Sequence, residues 1–309
     1  MDLRRLTLLR ELRDRGTLAA VAQAFNFSPS AVSQQLAQLQ AEVGVQLVER
    51  RGRILELTQA GRSLAEDSEA IFEQVERART HVEAFKSGVG GTIRVAAFQT
   101  AASVVLPLAL TSLAGDTNLR VEVFELEPED SLPLLARGGV DLVVGQEYEQ
   151  APRSLHPGIS RRVEHDEPVL VALPPADPLA SRRRPLQLAA LADRTWASGQ
   201  QGTGYAEALL RAARNAGFEP DIRYRSNDVT VFLSLVAHGH AVALVPSLAL
   251  ASPTRPAVSL HTARDARLAR HIFTAVRRGD EGRPALTRVR EAVAAGIGQA
   301  AGAAATTAR

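Results

Sequence analysis

Residues 17–61 read TLAAVAQAFNFSPSAVSQQLAQLQAEVGVQLVERRGRILELTQAG, and the spacing of their apolar residues changes from helical to alternating near the middle. Thr17 is placed to cap a helix over Leu18–Phe25, with Leu18, Val21, Ala22 and Phe25 on one face. Asn26-Phe27 makes a short turn. Ser28-Pro29 then restarts a helix, because Ser caps well and Pro suits the first helical position. In this helix Val32, Leu36, Leu39 and Val43 form an apolar stripe, and Ser30, Ser33, Gln34, Ala37 and Gln38 form the opposite face, up to Gly44. Val45–Val48 reads as a strand, Glu49–Arg53 as a basic turn and Ile54–Thr58 as a second strand.

Upstream, Leu3, Leu6, Leu9 and Leu12 recur every three residues on an amphipathic helix that Gly16 ends. Two helices joined by a tight turn, the second with a small polar face, match a helix-turn-helix, although an ordinary helical hairpin has the same spacing. The basic hairpin that follows favours nucleic acid, since phosphate contact needs such a tip beside a polar helix. Residues 1–62 carry nine arginines against six acids, four of them within Arg50–Arg62, whereas the whole chain is only +2. The residues expected to touch DNA are Ser28, Pro29, Ser30, Ser33, Gln34 and Gln38 on the helix, and Arg50, Arg51 and Arg53 on the hairpin.

The same stretch resembles the LysR-type transcriptional regulator signature almost from end to end. The matching features are Ser28-x-Ser30-Ala31-Val32-Ser33, Leu39, Glu42 with Gly44, Leu47 followed by Glu49-Arg50, and Leu57-Thr58 with Ala60-Gly61. Pro29 and Gln34 depart from the Gln and Arg usual there. The resemblance implies an α plus α/β chain: an N-terminal winged helix-turn-helix, a linker helix, and a two-subdomain α/β effector-binding domain like a periplasmic binding protein. It also implies a bacterial, cytoplasmic regulator that binds double-stranded operator DNA as a homodimer or homotetramer. A small-molecule effector would modulate it, and RNA polymerase would be a partner if it activates.

Boundaries follow from the pattern. Residues 1–58 form the DNA-binding part and 59–87 the linker helix. In the linker Leu64, Ile71, Ala78 and Phe85 are seven apart, with Ser68, Val75 and Val82 between them. That seam suits dimerisation through Leu64, Ile71, Val75, Ala78, Val82 and Phe85, but it could also pack on its own chain. Gly88-Val89-Gly90-Gly91 then breaks the helix. From residue 92 to 309 strands and helices alternate, which predicts a parallel sheet. Strands are expected at Ile93–Phe98, Arg120–Leu126, Val140–Gly145, Val169–Leu173, Trp196, Ile222–Arg225, Ala241–Val245 and Ile272–Val276. Helices are expected at about 103–114, 131–136, 186–192, 205–216, 228–237 and 284–297, with a frayed tail after 298. Crossing strands near Arg161–Pro168 and Arg264–His271 would split this domain into subdomain I, 92–163 plus 268–309, and subdomain II, 164–267.

Ligands of open α/β sheets bind beyond the carboxyl ends of strands, near helix N-termini. Three places qualify: Thr100 and Ser103 after the first strand, Gly202-Thr203 before the Tyr205 helix, and Ser226-Asn227-Asp228 before another. Gln146, just past a buried strand, completes the set. Ser103, Thr203 and Asn227 would serve equally as helix caps. Converging N-termini favour a small carboxylate or an amino acid, and Asp228 would repel an anion or hold an amine.

Other chemistries find little support. With no cysteine there is no thiolate nucleophile, disulfide or cysteine–zinc site. Gly199–Gly204 lacks the Lys-Ser/Thr of a phosphate loop, and His238-Gly239-His240 has no acidic companions for a metal. His165-Asp166-Glu167 reads as a polar rim. No cofactor and no metal are expected. No run is apolar enough to span a membrane, and the first residues lack the features of a signal peptide. Two classes remain: an effector-responsive regulator, which the absence of catalytic motifs favours, and a helix-turn-helix fused to an enzyme.

Overall fold

The computed structural model describes residues 1–307 except 52–53, 88–89, 154–156, 183, 253–254 and 265–267. It contains two compact units, Met1–Lys86 and Ser87–Arg309. The expected contact Arg53 and the side chains of Arg51, Ala78, Val82 and Phe85 lie outside the described residues.

In the first unit α1 (Leu3–Arg15), α2 (Leu18–Phe25) and α3 (Pro29–Val43) enclose a core of Leu6, Leu9, Leu12, Val21, Val32, Leu36 and Leu39. Thr17 caps α2 by accepting from Ala20 N, and Asn26, at φ +55°, closes that helix in the left-handed region. Strands β1 (Val48–Arg51) and β2 (Ile54–Leu57) pair antiparallel from Val48↔Leu57 to Arg51↔Ile54. The first strand therefore starts at Val48, later than expected, and Glu49–Arg51 belong to it rather than to a turn. The cause is Gln40: its Oε1 accepts from Leu47 N at 2.8 Å and Val48 N at 2.9 Å, tying the preceding chain to the end of α3.

Helix α4 (Gln59–Ser87) begins with Thr58 Oγ1 accepting from Gly61 N. A Cβ on Gly61 would come within 2.0 Å of Leu47 O, so only glycine permits this approach. The first part of the heptad seam packs on its own unit: Ala65 is buried there, and Leu64, Ile71 and Phe72 lie against that core. Ser68 is buried too, its hydroxyl donating to Ala65 O at 2.7 Å.

The second unit is built on a sheet ordered β10-β6-β11-β5-β3-β4, with β9 also paired to β6. Its members are β3 (Gly91–Ala97), β4 (Leu119–Glu125), β5 (Leu142–Tyr148), β6 (Ile159–Leu173), β9 (Ala243–Pro246), β10 (Ser259–His261) and β11 (Ala269–Arg277). Strands β7 (Thr195–Ser198) and β8 (Asp221–Arg225) form a separate parallel pair. Strands β3, β4 and β5 pair in parallel, whereas β11 runs antiparallel between β5 and β6, and β9 and β10 run antiparallel to β6, so the sheet is mixed and the all-parallel expectation is corrected. Strands β6 and β11, paired with each other, carry the chain between the two halves of the unit. The sequence split β6 at its charged middle, but β11 pairs with it from Ile159 to Pro168 and makes one long strand.

Helices α5 (Leu106–Ser112), α6 (Pro128–Arg137), α7 (Gly204–Asn215), α8 (Val229–Ala237) and α9 (Pro284–Thr307) cover these strands. A π-helical turn, Ala101–Val105, precedes α5, and the expected 186–192 helix is a 3-10 turn at Leu188–Leu191. The expected fraying after 298 is also corrected: α9 continues to Thr307, because Ala300 and Ala304 are buried. One core gathers around Trp196, Leu233 and Val245, another around Val95, Leu142 and Val293. Among the described residues no helix is long and apolar enough to cross a membrane.

Candidate functional site

In the first unit, α3 carries the residues read as DNA contacts. Ser28 is its N-cap: Oγ accepts from Ala31 N at 3.2 Å and lies 2.9 Å from Ser30 Oγ. Pro29 occupies the first turn. Ser28, Pro29, Ser30, Gln34 and Gln38 are exposed and Ser33 is half-buried. Residues 30, 33, 34, 37 and 38 share one helix face, opposite the buried Val32, Leu36 and Leu39. The other side is braced: Arg5 donates to Gln35 Oε1 at 3.0 Å and pairs with Glu42. Arg50 stands exposed on β1.

In the second unit a narrow cleft, open at its mouth, lies between the two halves. Phe98, Gln99 and Thr100 follow β3, Glu127 follows β4, and Gln146 and Tyr148 stand on β5. Facing them are Gly199, Thr203, Tyr205, Ser226, Asn227, Val229 and Phe232, from beyond the ends of β7 and β8. This is where open α/β sheets place ligands. The cleft brings together Thr100, Gln146, Thr203, Ser226 and Asn227 of the sequence-read residues; Ser103, Gly202 and Asp228 do not line it.

Local bonding explains these placements. Ser103 Oγ donates to Thr100 O, and the Asp228 carboxylate caps α8 through Thr230 N at 2.8 Å. Thr203 caps α7 through Ala206 N. Asn227 Oδ1 holds Gln200 N at 3.0 Å and so fixes the loop rather than a helix end. His238 Nδ1 lies 2.8 Å from Ser234 O at the end of α8, and no metal-binding cluster occurs among the described residues.

The aromatic walls and the charges were not anticipated. Tyr205 stacks on Phe232 with ring centroids 5.3 Å apart and meets the edge of Tyr148 at 5.8 Å. At the floor Arg270, 2% exposed, donates from Nε to Glu167 Oε1 at 2.7 Å and from Nη1 to Gln146 Oε1 at 2.7 Å. Glu167 Oε2 in turn accepts from Ser247 Oγ and Leu248 N. Glu167 is thus a buried partner of Arg270 rather than part of a polar rim. Gln146 passes the contact on, its Nε2 donating to Glu127 Oε2 at 2.8 Å. Burial pushes the Glu127 carboxyl up to about 7; the Gln146 hydrogen bond opposes that rise and the charge of Glu129 adds to it. Burial also holds the Tyr148 and Tyr205 phenols well above their usual range, so both stay neutral donors. Glu129 on α6 reaches the start of α7, accepting from Gly204 N at 2.6 Å, and pairs with Arg153. Glu127 could have been suspected in the sequence, standing just past a strand; Arg270 and Tyr148 gave no such signal.

Comparison with known proteins agrees with both units. The model for the bacterial regulatory helix-turn-helix protein, lysR family, matches residues 3–62, and that for the LysR substrate binding domain matches residues 86–297. The RuBisCO operon transcriptional regulator of Allochromatium vinosum is 28% identical, over 68% of each chain. The HTH-type transcriptional regulator TfdS of Cupriavidus pinatubonensis is 28% identical over 86% of this chain and 89% of its own. Among solved structures, full-length CbnR complexed with its target DNA is 26% identical, with a TM-score of 0.61 and coverage of 96% of this chain and 100% of that one.

Proposed function

The chain belongs to the LysR family of bacterial helix-turn-helix regulators, and from that premise we propose which of its residues read DNA and which bind the effector. It is a transcriptional regulator with an effector-binding domain, not an enzyme. DNA reading is assigned to Ser30, Ser33, Gln34 and Gln38, with Ser28 and Pro29 setting the start of the helix and Arg50, Arg51 and Arg53 holding phosphates. The observation that carries this reading is the exposed polar face of α3, firmly capped at Ser28 and backed by a buried apolar stripe. The resemblance to CbnR bound to its target DNA supports it.

The effector site is assigned to the cleft lined by Thr100, Gln146, Thr203, Ser226 and Asn227, together with Glu127 and the aromatic walls. Subdomain I, 92–163 plus 268–309, and subdomain II, 164–267, would close on the ligand. A cytoplasmic homodimer or homotetramer, partnered by RNA polymerase if it activates, completes the reading.

Fluorescence anisotropy on operator and random duplexes tests the DNA assignment. Gln34→Ala should cost about 1–3 kcal/mol on the operator and less on random DNA. Arg50→Ala should weaken both alike and flatten the salt dependence. Equal losses on the two duplexes for Gln34→Ala would remove Gln34 from base reading.

A further inference from the structure

We infer that the cleft takes a small organic cation, a flat apolar body whose charged N–H group meets Glu127, rather than a carboxylate. The inference rests on the reading of this cleft as the effector site.

The charge that would receive an anion is already balanced by the chain's own groups, although Arg270 Nη2 itself makes no hydrogen bond. Arg270 lies 2.5 Å from Glu167 Oε1, and the two side chains are 2% and 0% exposed, so the pair is neutral within the protein. The N-terminus of α7 gives its Gly204 amide to Glu129, and the first turn of α8 gives Thr230 N to Asp228. The phenol protons of Tyr148 and Tyr205 go to Gln146 Oε1 at 3.4 Å and Leu244 O at 2.6 Å. The hydroxyls of Thr100 and Thr203 go to Gln99 Oε1 at 3.3 Å and Gln200 O at 2.8 Å.

What the cleft offers instead is an acceptor. Glu127 contributes the one carboxyl group among the described lining residues. It stands at the N-cap position of α6 but makes no capping hydrogen bond; its side chain is turned to Gln146. An anion entering the cleft would face this carboxylate without a free cation to offset it. An ammonium or amidinium would supply the missing charge and a charge-assisted hydrogen bond. The rings of Tyr148, Tyr205 and Phe232 suit a flat apolar body and a nearby cation. The rise in the Glu127 pKa agrees with a carboxyl that lacks such a partner.

Titration calorimetry of the full chain with benzylamine, benzamide and benzoate tests this, since the three share one body and differ in charge. It is done at about pH 8, above the range in which Glu127 titrates. Benzylamine should bind at least about tenfold more tightly than benzoate. Glu127→Gln should abolish that preference while benzamide binds as before. Benzoate binding as tightly as benzylamine, or a preference that survives Glu127→Gln, overturns the inference. Phe232→Ala separates this from failure of the underlying reading. If benzoate prevails and Phe232→Ala weakens it, the cleft is the effector site and only the charge class is wrong. If no probe binds, or Phe232→Ala leaves all three unchanged, the site assignment falls and the inference with it.

Discussion

Arg270 and Glu167 face each other across β11 and β6, where the chain crosses between the halves of the second unit. Each is unaffordable there without the other: a lone buried charge has neither water nor a counter-ion. Arg270→Ala should therefore destabilise this unit by about 3–5 kcal/mol in urea unfolding. The double change to Arg270→Met with Glu167→Met should recover most of that, and an additive double variant would contradict the pairing. Glu127 behaves oppositely, because the cost of burying its charge outweighs what the Gln146 hydrogen bond and the charge of Arg270 return. Its folded pKa of about 7 exceeds the reference 4.5, so the folded state keeps a proton that the unfolded state releases. Stability then falls as pH rises from 4.5 to about 7, by up to about 3 kcal/mol. Glu127→Gln should raise the melting temperature at about pH 8 and leave it unchanged near pH 4. A gain of equal size at both values would show that the carboxyl is not titrating in that interval.

Among the elements, α4 packs the first part of its repeat on the core of its own unit. Leu64 and Ile71 continue the heptad, yet they rest on the core of their own unit, while Ala65 and Ser68 are wholly covered there. Dimerisation is accordingly proposed for the later part of the repeat, Val75 to Phe85. Ile71→Glu should lower the thermal stability of the first unit by about 1–3 kcal/mol. Val82→Glu should leave that transition in place and shift the mass from light scattering toward the monomer. An intact oligomer for Val82→Glu would place the interface elsewhere. The wing makes a related point: a single side chain, Gln40, sets where β1 begins by engaging two successive amides.

At the scale of the whole molecule, the boundary between the units falls at Lys86, the only lysine in the chain. A lysine-specific protease should thus cut the native protein once, giving fragments 1–86 and 87–309. Each should keep its circular dichroism and a cooperative melting transition, since each has its own core. Loss of both transitions after that one cut would mean that the units depend on each other for folding.

The N-terminal unit and the order of strands and helices were legible in the sequence because they rest on local physics. Caps at Thr17 and Ser28, the turn at Asn26 and the 3.6-residue stripe of Val32, Leu36 and Leu39 act between neighbours in the chain. The hydroxyls of Thr100 and Thr203 were legible as well, because strand-to-helix junctions mark where such ligand clefts open. Strand direction was not: alternation of strands and helices is the same whether β11 runs with the sheet or against it. The ion pair at the floor of the cleft joins residues 103 apart, and the contact of Glu129 with Gly204 joins residues 75 apart. Both separations lie far beyond the reach of a local repeat. Which charges cancel, and therefore which one is left facing the cleft, depends on distances and burial that only the closed chain creates.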